Sequence, residues 1–237
     1  MKVAQCLLDA MTAAIATHQP LPSMPKNLTL IEAYSVQQQL SRQRNGSKVS
    51  GYKAGLSGAE VQKKFGLTEG VIGSLYHDGA LDSGCTIVAV DGLVFECEIG
   101  VVVDASGQPR FVMPVVEIAY LKYSETDDLS AANIIAANVG ADRYICGERH
   151  HWRASLAGTG ICARHDGATV LESTIDESLR GVLSGTAWMV QQAIQRGFKI
   201  EDGMLLILGT CGAPVAVVPG QVNVDYGVLG SVDFTIS

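Results

Sequence analysis

Val94-Phe95-Glu96-Cys97-Glu98-Ile99-Gly100-Val101-Val102-Val103 is apolar almost throughout, with two acids set one residue apart. Runs this short and this rich in β-branched residues read as a strand covered on both faces. Side chains alternate along a strand, so Glu96 and Glu98 share one face while Phe95, Cys97 and Ile99 share the other. Two carboxylates side by side among apolar residues repel one another, and each is costly to remove from water. They must be protonated, pair with cations, or bind a divalent metal. A second apolar run, Pro114-Val115-Val116-Glu117-Ile118-Ala119-Tyr120-Leu121, holds one acid at its middle. Strands carrying Glu96, Glu98 and Glu117 can bring three hard oxygen ligands to one point, which suits Mg²⁺ or Mn²⁺. The same pattern also describes an edge strand with its acids in solvent, and a core Glu117 paired with Arg143.

Outward from these strands the pattern divides the chain. Val3, Leu7, Leu8, Met11 and Ile15 recur at helical spacing, predicting a helix over 2–17. Residues 18–29 hold three prolines and form a connector. Thr29 with Glu32 makes a capping box for a second helix running to about Arg44, where Asn45-Gly46 ends it. From Gly51 onward, short β-prone runs broken by glycine predominate. Strands are expected at about 49–55, 84–90, 93–103, 111–123, 138–146, 168–173, 204–209, 214–218, 221–226 and 231–236, with a short helix after Ser57 and a long one over 179–196. The expected organisation is a helical subdomain at 1–48 and a β-rich catalytic body at 49–237, forming one continuous unit.

Composition excludes several classes. The chain has 237 residues, 47% of them hydrophobic, and a formal net charge of −7. That balance opposes nucleic acid and anionic membrane surfaces as partners. No signal peptide or span-length apolar run is present. The six cysteines form no CxxC pair, which favours reduced thiols in a cytoplasmic protein. Charged residues are only 17%, against about a quarter in an ordinary globular domain, pointing to an oligomer. Nucleotide loops and the GxSxG nucleophile elbow are absent.

Three further segments hold candidate chemistry. Lys53, in Ser50-Gly51-Tyr52-Lys53-Ala54-Gly55-Leu56-Ser57, can supply positive charge or relay a proton beside a metal; taken alone, the segment reads first as an exposed lysine on a short strand. His77-Asp78 reads as a solvated loop pair or an acid–base group. His150 and His151 would point to opposite faces of a strand, which argues against a shared metal.

Taken in order, these segments resemble the hydratase/decarboxylase branch of the fumarylacetoacetate hydrolase superfamily. Gly51–Ser57 resembles the G-x-K-x-G-L-[ST] segment of 2-keto-4-pentenoate hydratases, and Ile72–Asp78 their F-G-x-L-[FY]-x-D. Glu96-Cys97-Glu98-Ile99 resembles E-x-E-I, Pro114–Ile118 resembles P-A-[IL]-E-[IV], Leu208-Gly209-Thr210 the closing T-G-[ST], and Ala33–Gln37 an A-Y-x-[IV]-Q. The branch also includes 4-oxalocrotonate decarboxylases. The resemblance implies an α+β fold, with a rolled mixed β-sheet body and an N-terminal helical portion. It implies Glu96, Glu98 and Glu117 as ligands of Mg²⁺ or Mn²⁺, Lys53 and Asp78 as catalytic, and Leu56, Ser57 and Asn138 as substrate-binding. The implied activity is metal-dependent hydration of a 2-hydroxydienoate or 2-oxo-alkenoate acid. The alternatives are decarboxylation of a 4-oxalocrotonate-like acid, or a degenerate subunit that binds a small acid or supports a related partner enzyme. Two departures bear on this: the stretch from Glu98 to Glu117 is short, and the branch's A-D-N-[AS]-S becomes Ala136-Ala137-Asn138-Val139-Gly140, without its acid and final serine.

Overall fold

The computed structural model describes residues 3–44, 48–153 and 156–237. Two helices come first, α1 (Gln5–Ala16) and α2 (Leu30–Gln43). The Thr29 hydroxyl accepts from the Glu32 amide at 3.2 Å and Glu32 Oε2 accepts from the Thr29 amide at 3.0 Å, completing the expected capping box. Lys2 and the expected stop at Asn45-Gly46 lie outside the described residues. There follow β1 (Val49–Gly55), α3 (Ala59–Lys64), β2 (Val71–Tyr76), β3 (Ala80–Asp82), β4 (Cys85–Ile87), β5 (Leu93–Val103) and β6 (Pro109–Tyr120). The chain continues through α4 (Ala131–Ala136), β7 (Ala141–Cys146), β8 (His150–His151), β9 (Gly160–His165), β10 (Ala168–Thr174), α5 (Val182–Gln195), β11 (Met204–Ile207), β12 (Val215–Ala216), β13 (Gly220–Asp225) and β14 (Ser231–Ile236).

The expected α+β architecture with a mixed sheet is present. One nine-stranded sheet runs β2-β1-β11-β5-β6-β7-β3, with β12 added to β5 and β8 to β6. A five-stranded sheet runs β10-β9-β13-β14-β4. In the larger sheet β1–β11 and β3–β7 are parallel, while the long β5–β6 hairpin is antiparallel. The short stretch between Glu98 and Glu117 is this hairpin, closed by a tight turn in which Asp104 Oδ1 accepts from the Ser106 and Gln108 amides. Phe95, Cys97 and Ile99 are fully buried, and Phe95 packs edge-on against Phe234 of the smaller sheet. Gly51 lets β1 and β11 approach, since a Cβ there would strike the Leu205 carbonyl.

The helical portion closes the edge of the larger sheet at β2. An exposed edge presents unpaired amides and carbonyls. Here the Tyr34 hydroxyl accepts from the Ile72 amide at 3.1 Å, and Gln37 Nε2 donates to the Ile72 and Ile135 carbonyls at 3.0 and 3.1 Å. The A-Y-x-[IV]-Q likeness is therefore a packing device in this chain.

The structure corrects three readings. The strand expected from 138 begins at Ala141, because Asn138, Val139 and Gly140 all have positive φ (56°, 57° and 69°) and cannot continue a pleat. Neither β2 nor α4 is among the expected elements: each is six residues long and buried throughout, so neither shows an alternating or amphipathic pattern. The strands β3, β8 and β9 are likewise additional to the expected set. No helix among the described residues is long and apolar enough to cross a membrane.

Candidate metal centre

Register builds the centre. Glu96 of β5 lies directly opposite Glu117 of β6, and Glu98 is two residues along on the same face. Glu96 is half-buried, while Glu98 and Glu117 are both fully buried. One carboxylate oxygen from each of the three lies within 4.8 Å of the others. Oxygens around one divalent ion are separated by at most twice the bond length, roughly 4–5 Å for bonds of about 2.1–2.5 Å, so this spacing fits a single hard cation.

Lys53 reaches the cluster from β1. Its Nζ forms an ion pair with Glu117 Oε1 at 2.7 Å and donates to the Val139 carbonyl at 3.0 Å. Lys53 is 2% exposed, so the reading of an exposed lysine is overturned. The alternative pairing of Glu117 with Arg143 also fails: Glu117 faces Lys53, and Arg143 Nε donates to Asp142. The carbonyl that Lys53 uses depends on the left-handed run at 138–140. Val139 is β-branched and its positive φ costs strain; it packs against Gly55, where any Cβ would collide with it.

On the other side, the Gly209 amide donates to Glu98 Oε2 at 2.7 Å. Tyr226, fully buried in the segment between β13 and β14, accepts from the Glu98 amide and donates to the Val115 carbonyl, bridging β5 and β6. Glu98 Oε1 and Glu117 Oε2 are left buried without a hydrogen-bond partner. Orphaned carboxylate oxygens at one point are costly unless a cation meets them. That observation, together with the all-oxygen donor set, fits Mg²⁺ or Mn²⁺.

Electrostatics agree. Burial raises the Glu98 pKa well above its ordinary value, and the charges of Glu117 and Glu96 raise it further against the pull of Lys53 and the Gly209 amide. Burial also raises Glu117, with Lys53 opposing, to about 7. Burial alone would lower Lys53, but Glu117, Glu96 and Glu98 outweigh it and keep the ammonium charged. A carboxyl with a raised folded pKa binds its proton more tightly folded than unfolded. In metal-free protein both acids therefore favour folding at low pH. That contribution is lost as pH rises from about 4.5, for Glu117 through about 7. Glu98→Gln, whose amide needs no proton, is accordingly expected to gain stability relative to the parent chain in EDTA as pH rises from 5 to 8. Urea unfolding at several pH values measures this; a constant difference contradicts it.

A cavity of about 790 Å³ opens over Glu96 and Glu98. Its wall includes Leu56 and Ser57, Thr210 from the Leu208-Gly209-Thr210 segment, and Glu177, which no sequence motif singles out. The other two assigned residues are placed differently. Asp78 is exposed, ion-paired with Arg44 at 3.1 Å, and lines a separate cavity between α1, α2 and β7. Asn138 also borders that second cavity, and its side chain is engaged by Ser74: it accepts from the amide at 2.7 Å and donates to the carbonyl at 2.9 Å. Asn138 therefore fixes β2 and the left-handed run that serves Lys53. The missing serine removes nothing from the cavity wall, because a Cβ at Gly140 points at the Tyr120 carbonyl, 3.2 Å away. Gly209 and Val139 act through backbone groups, so the segments that hold them do not reveal their roles, and no residue-type signal marks Tyr226, which acts through its hydroxyl from beneath the sheet.

No family model matches the chain. By sequence it is similar to 4-oxalocrotonate decarboxylase of Pseudomonas putida, with 26% identity over 98% of this chain and 94% of that protein. It is also similar to 2-keto-4-pentenoate hydratase of Paraburkholderia xenovorans, with 25% identity over 93% of this chain and 88% of that protein. The structure superposes on 4-oxalocrotonate decarboxylase from Pseudomonas putida G7, complexed with magnesium and adipate, with a TM-score of 0.87 at 22% identity, covering 100% of this chain and 99% of that one. The chain has the fumarylacetoacetate hydrolase fold. Broader members of that superfamily match less fully. A Yersinia pestis CO92 protein described as of the fumarylacetoacetate hydrolase family has a TM-score of 0.57 at 11% identity, over 81% of this chain and 95% of that one. Fumarylpyruvate hydrolase from Pseudomonas aeruginosa, in complex with Mn²⁺ and pyruvate, has a TM-score of 0.56 at 15% identity, over 78% and 88%. The full-length likeness is thus to the hydratase/decarboxylase branch, as the sequence motifs implied.

Proposed function

We propose that this chain is a divalent-metal-dependent hydro-lyase that adds water to a 2-hydroxydienoate or 2-oxo-alkenoate acid. The observation that carries the reading is the convergence of Glu96, Glu98 and Glu117 on one point, with Lys53 behind them and a cavity of about 790 Å³ in front. Glu96, Glu98 and Glu117 hold Mg²⁺ or Mn²⁺, which when bound supplies a Lewis acid for the enolate charge that develops on a 2-oxo acid. Lys53 contributes a fixed positive charge and a proton donor at Nζ, kept charged by the acids around it and aimed by Val139. Leu56 and Ser57 border the chelating end of the substrate. Asn138 acts as a positioning residue. Asp78 has no place in this scheme.

Decarboxylation is the second reading, supported by the likeness to 4-oxalocrotonate decarboxylase. The degenerate-subunit reading rests on Ala137 and Gly140, and the Gly140 part of it weakens because a Cβ there would point at the Tyr120 carbonyl. We also propose a cytoplasmic location, on six cysteines with no disulfide among them, and a homo-oligomer, on the low charge and on exposed apolar residues such as Ile31 and Val228. Diene absorbance of 2-hydroxypenta-2,4-dienoate, followed with EDTA-stripped protein, tests the activity. Absorbance is expected to fall only after Mg²⁺ or Mn²⁺ is restored. Failure with both metals, on this substrate and on 4-oxalocrotonate, would leave the chain a partner-dependent subunit.

A further inference from the structure

We propose that the substrate carries one carboxylate only, at its chelating end, and an uncharged tail, with Glu60 and Glu177 at the cavity wall excluding acids that carry a second carboxylate. The inference rests on the metal-dependent reading above and deepens it. The described lining contains no lysine, arginine or histidine. Beyond the metal cluster it is built of small and apolar groups such as Ala54, Val61 and Pro214, with hydroxyls from Ser57 and Thr210. Its remaining charged members are Glu60, on the first turn of α3, and Glu177, just after β10, both exposed and without an ion-pair partner among the described residues. Lys53 does not change the balance, because it lies behind the acids and is committed to Glu117 and Val139. Lys63 and Lys64 are exposed on α3 and are not part of the lining.

A distal carboxylate entering this space gives up water and meets two like charges with no cation to receive it. An apolar tail leaves water for apolar walls. The distinction bears on reaction type. To lose CO₂ from its far end, a substrate must bring a second carboxylate into the cavity; the C–C bond to it breaks and the electron pair passes along the conjugated chain to the 2-oxo group. Adding water across the alkene needs no such group: its oxygen bonds to one alkene carbon and a proton goes to the other. The cavity wall therefore selects hydration.

The test uses two acids with the same chelating end and six carbons, 2-oxohexanoate and 2-oxohexanedioate, titrated into Mn²⁺-loaded protein with oxalate as the control ligand. At low ionic strength 2-oxohexanoate is expected to bind about tenfold more tightly. The gap should narrow in about 0.5 M KCl, which screens exposed charges, and in the Glu60→Gln/Glu177→Gln double variant. Equal or tighter binding of 2-oxohexanedioate overturns the proposal. A gap undiminished in the double variant removes the role given to the two acids. Failure of oxalate itself to bind overturns the metal-site reading instead, so the two failures are distinct.

Discussion

Lys53→Met is expected to abolish turnover and to destabilise the metal-free protein by about 3–5 kcal/mol, the range for breaking a buried ion pair from one side. Methionine nearly conserves the volume, so the loss is one of charge rather than packing. Glu117, fully buried, loses the cation 2.7 Å away, and the Val139 carbonyl loses its donor. Glu117 answers by holding a proton to higher pH, so the cost should be smaller at pH 5 than at pH 8. Adding Mg²⁺ should return part of the stability, because a bound cation compensates the same acids. Urea unfolding at pH 8, with EDTA and with Mg²⁺, measures both effects. A variant as stable as the parent in EDTA would mean that the pair carries no net stabilisation.

Glu96→Gln is expected to reduce turnover by roughly 10³-fold, taking about 4 kcal/mol as the Lewis-acid contribution of the ion at about 1.4 kcal/mol per factor of ten. Glu96 is the least buried of the three acids, so its amide should leave the fold in place. Circular dichroism and unfolding behaviour close to the parent, with activity gone, separate a ligand from a folding residue. Activity surviving unchanged would rule Glu96 out as a ligand.

These two variants touch residues that are legible in the amino-acid sequence. An acid inside a long β-branched run has few explanations, and β5 and β6 are long enough for the period to show; their register then puts Glu96 opposite Glu117. The capping box at Thr29 and Glu32 is equally local. Illegible features depend on tertiary context. The six residues of α4 are buried all round, so its helical period leaves no polar face to detect. Asn138–Gly140 reads as the start of a strand, yet adopts three successive left-handed conformations that aim the Val139 carbonyl at Lys53. Asp78 sits in a recognisable motif, but the chain beyond β2 turns it toward Arg44 and away from the acids. Nothing in the residue type of Tyr226 marks it, although it pins the backbone of Glu98 to that of Val115.

Whether three acids and a lysine form a working divalent-cation site that grips the chelating end of a 2-oxo acid is tested most directly by a thermal-shift titration. Mg²⁺ and Mn²⁺ are added with and without oxalate, against EDTA, since a ligand bound only by the folded state raises apparent stability. The expected result is a rise in Tm with either metal, a further rise with oxalate only when metal is present, and neither rise in Glu96→Gln. A Tm unmoved by both metals, or an oxalate shift that survives EDTA, would contradict it.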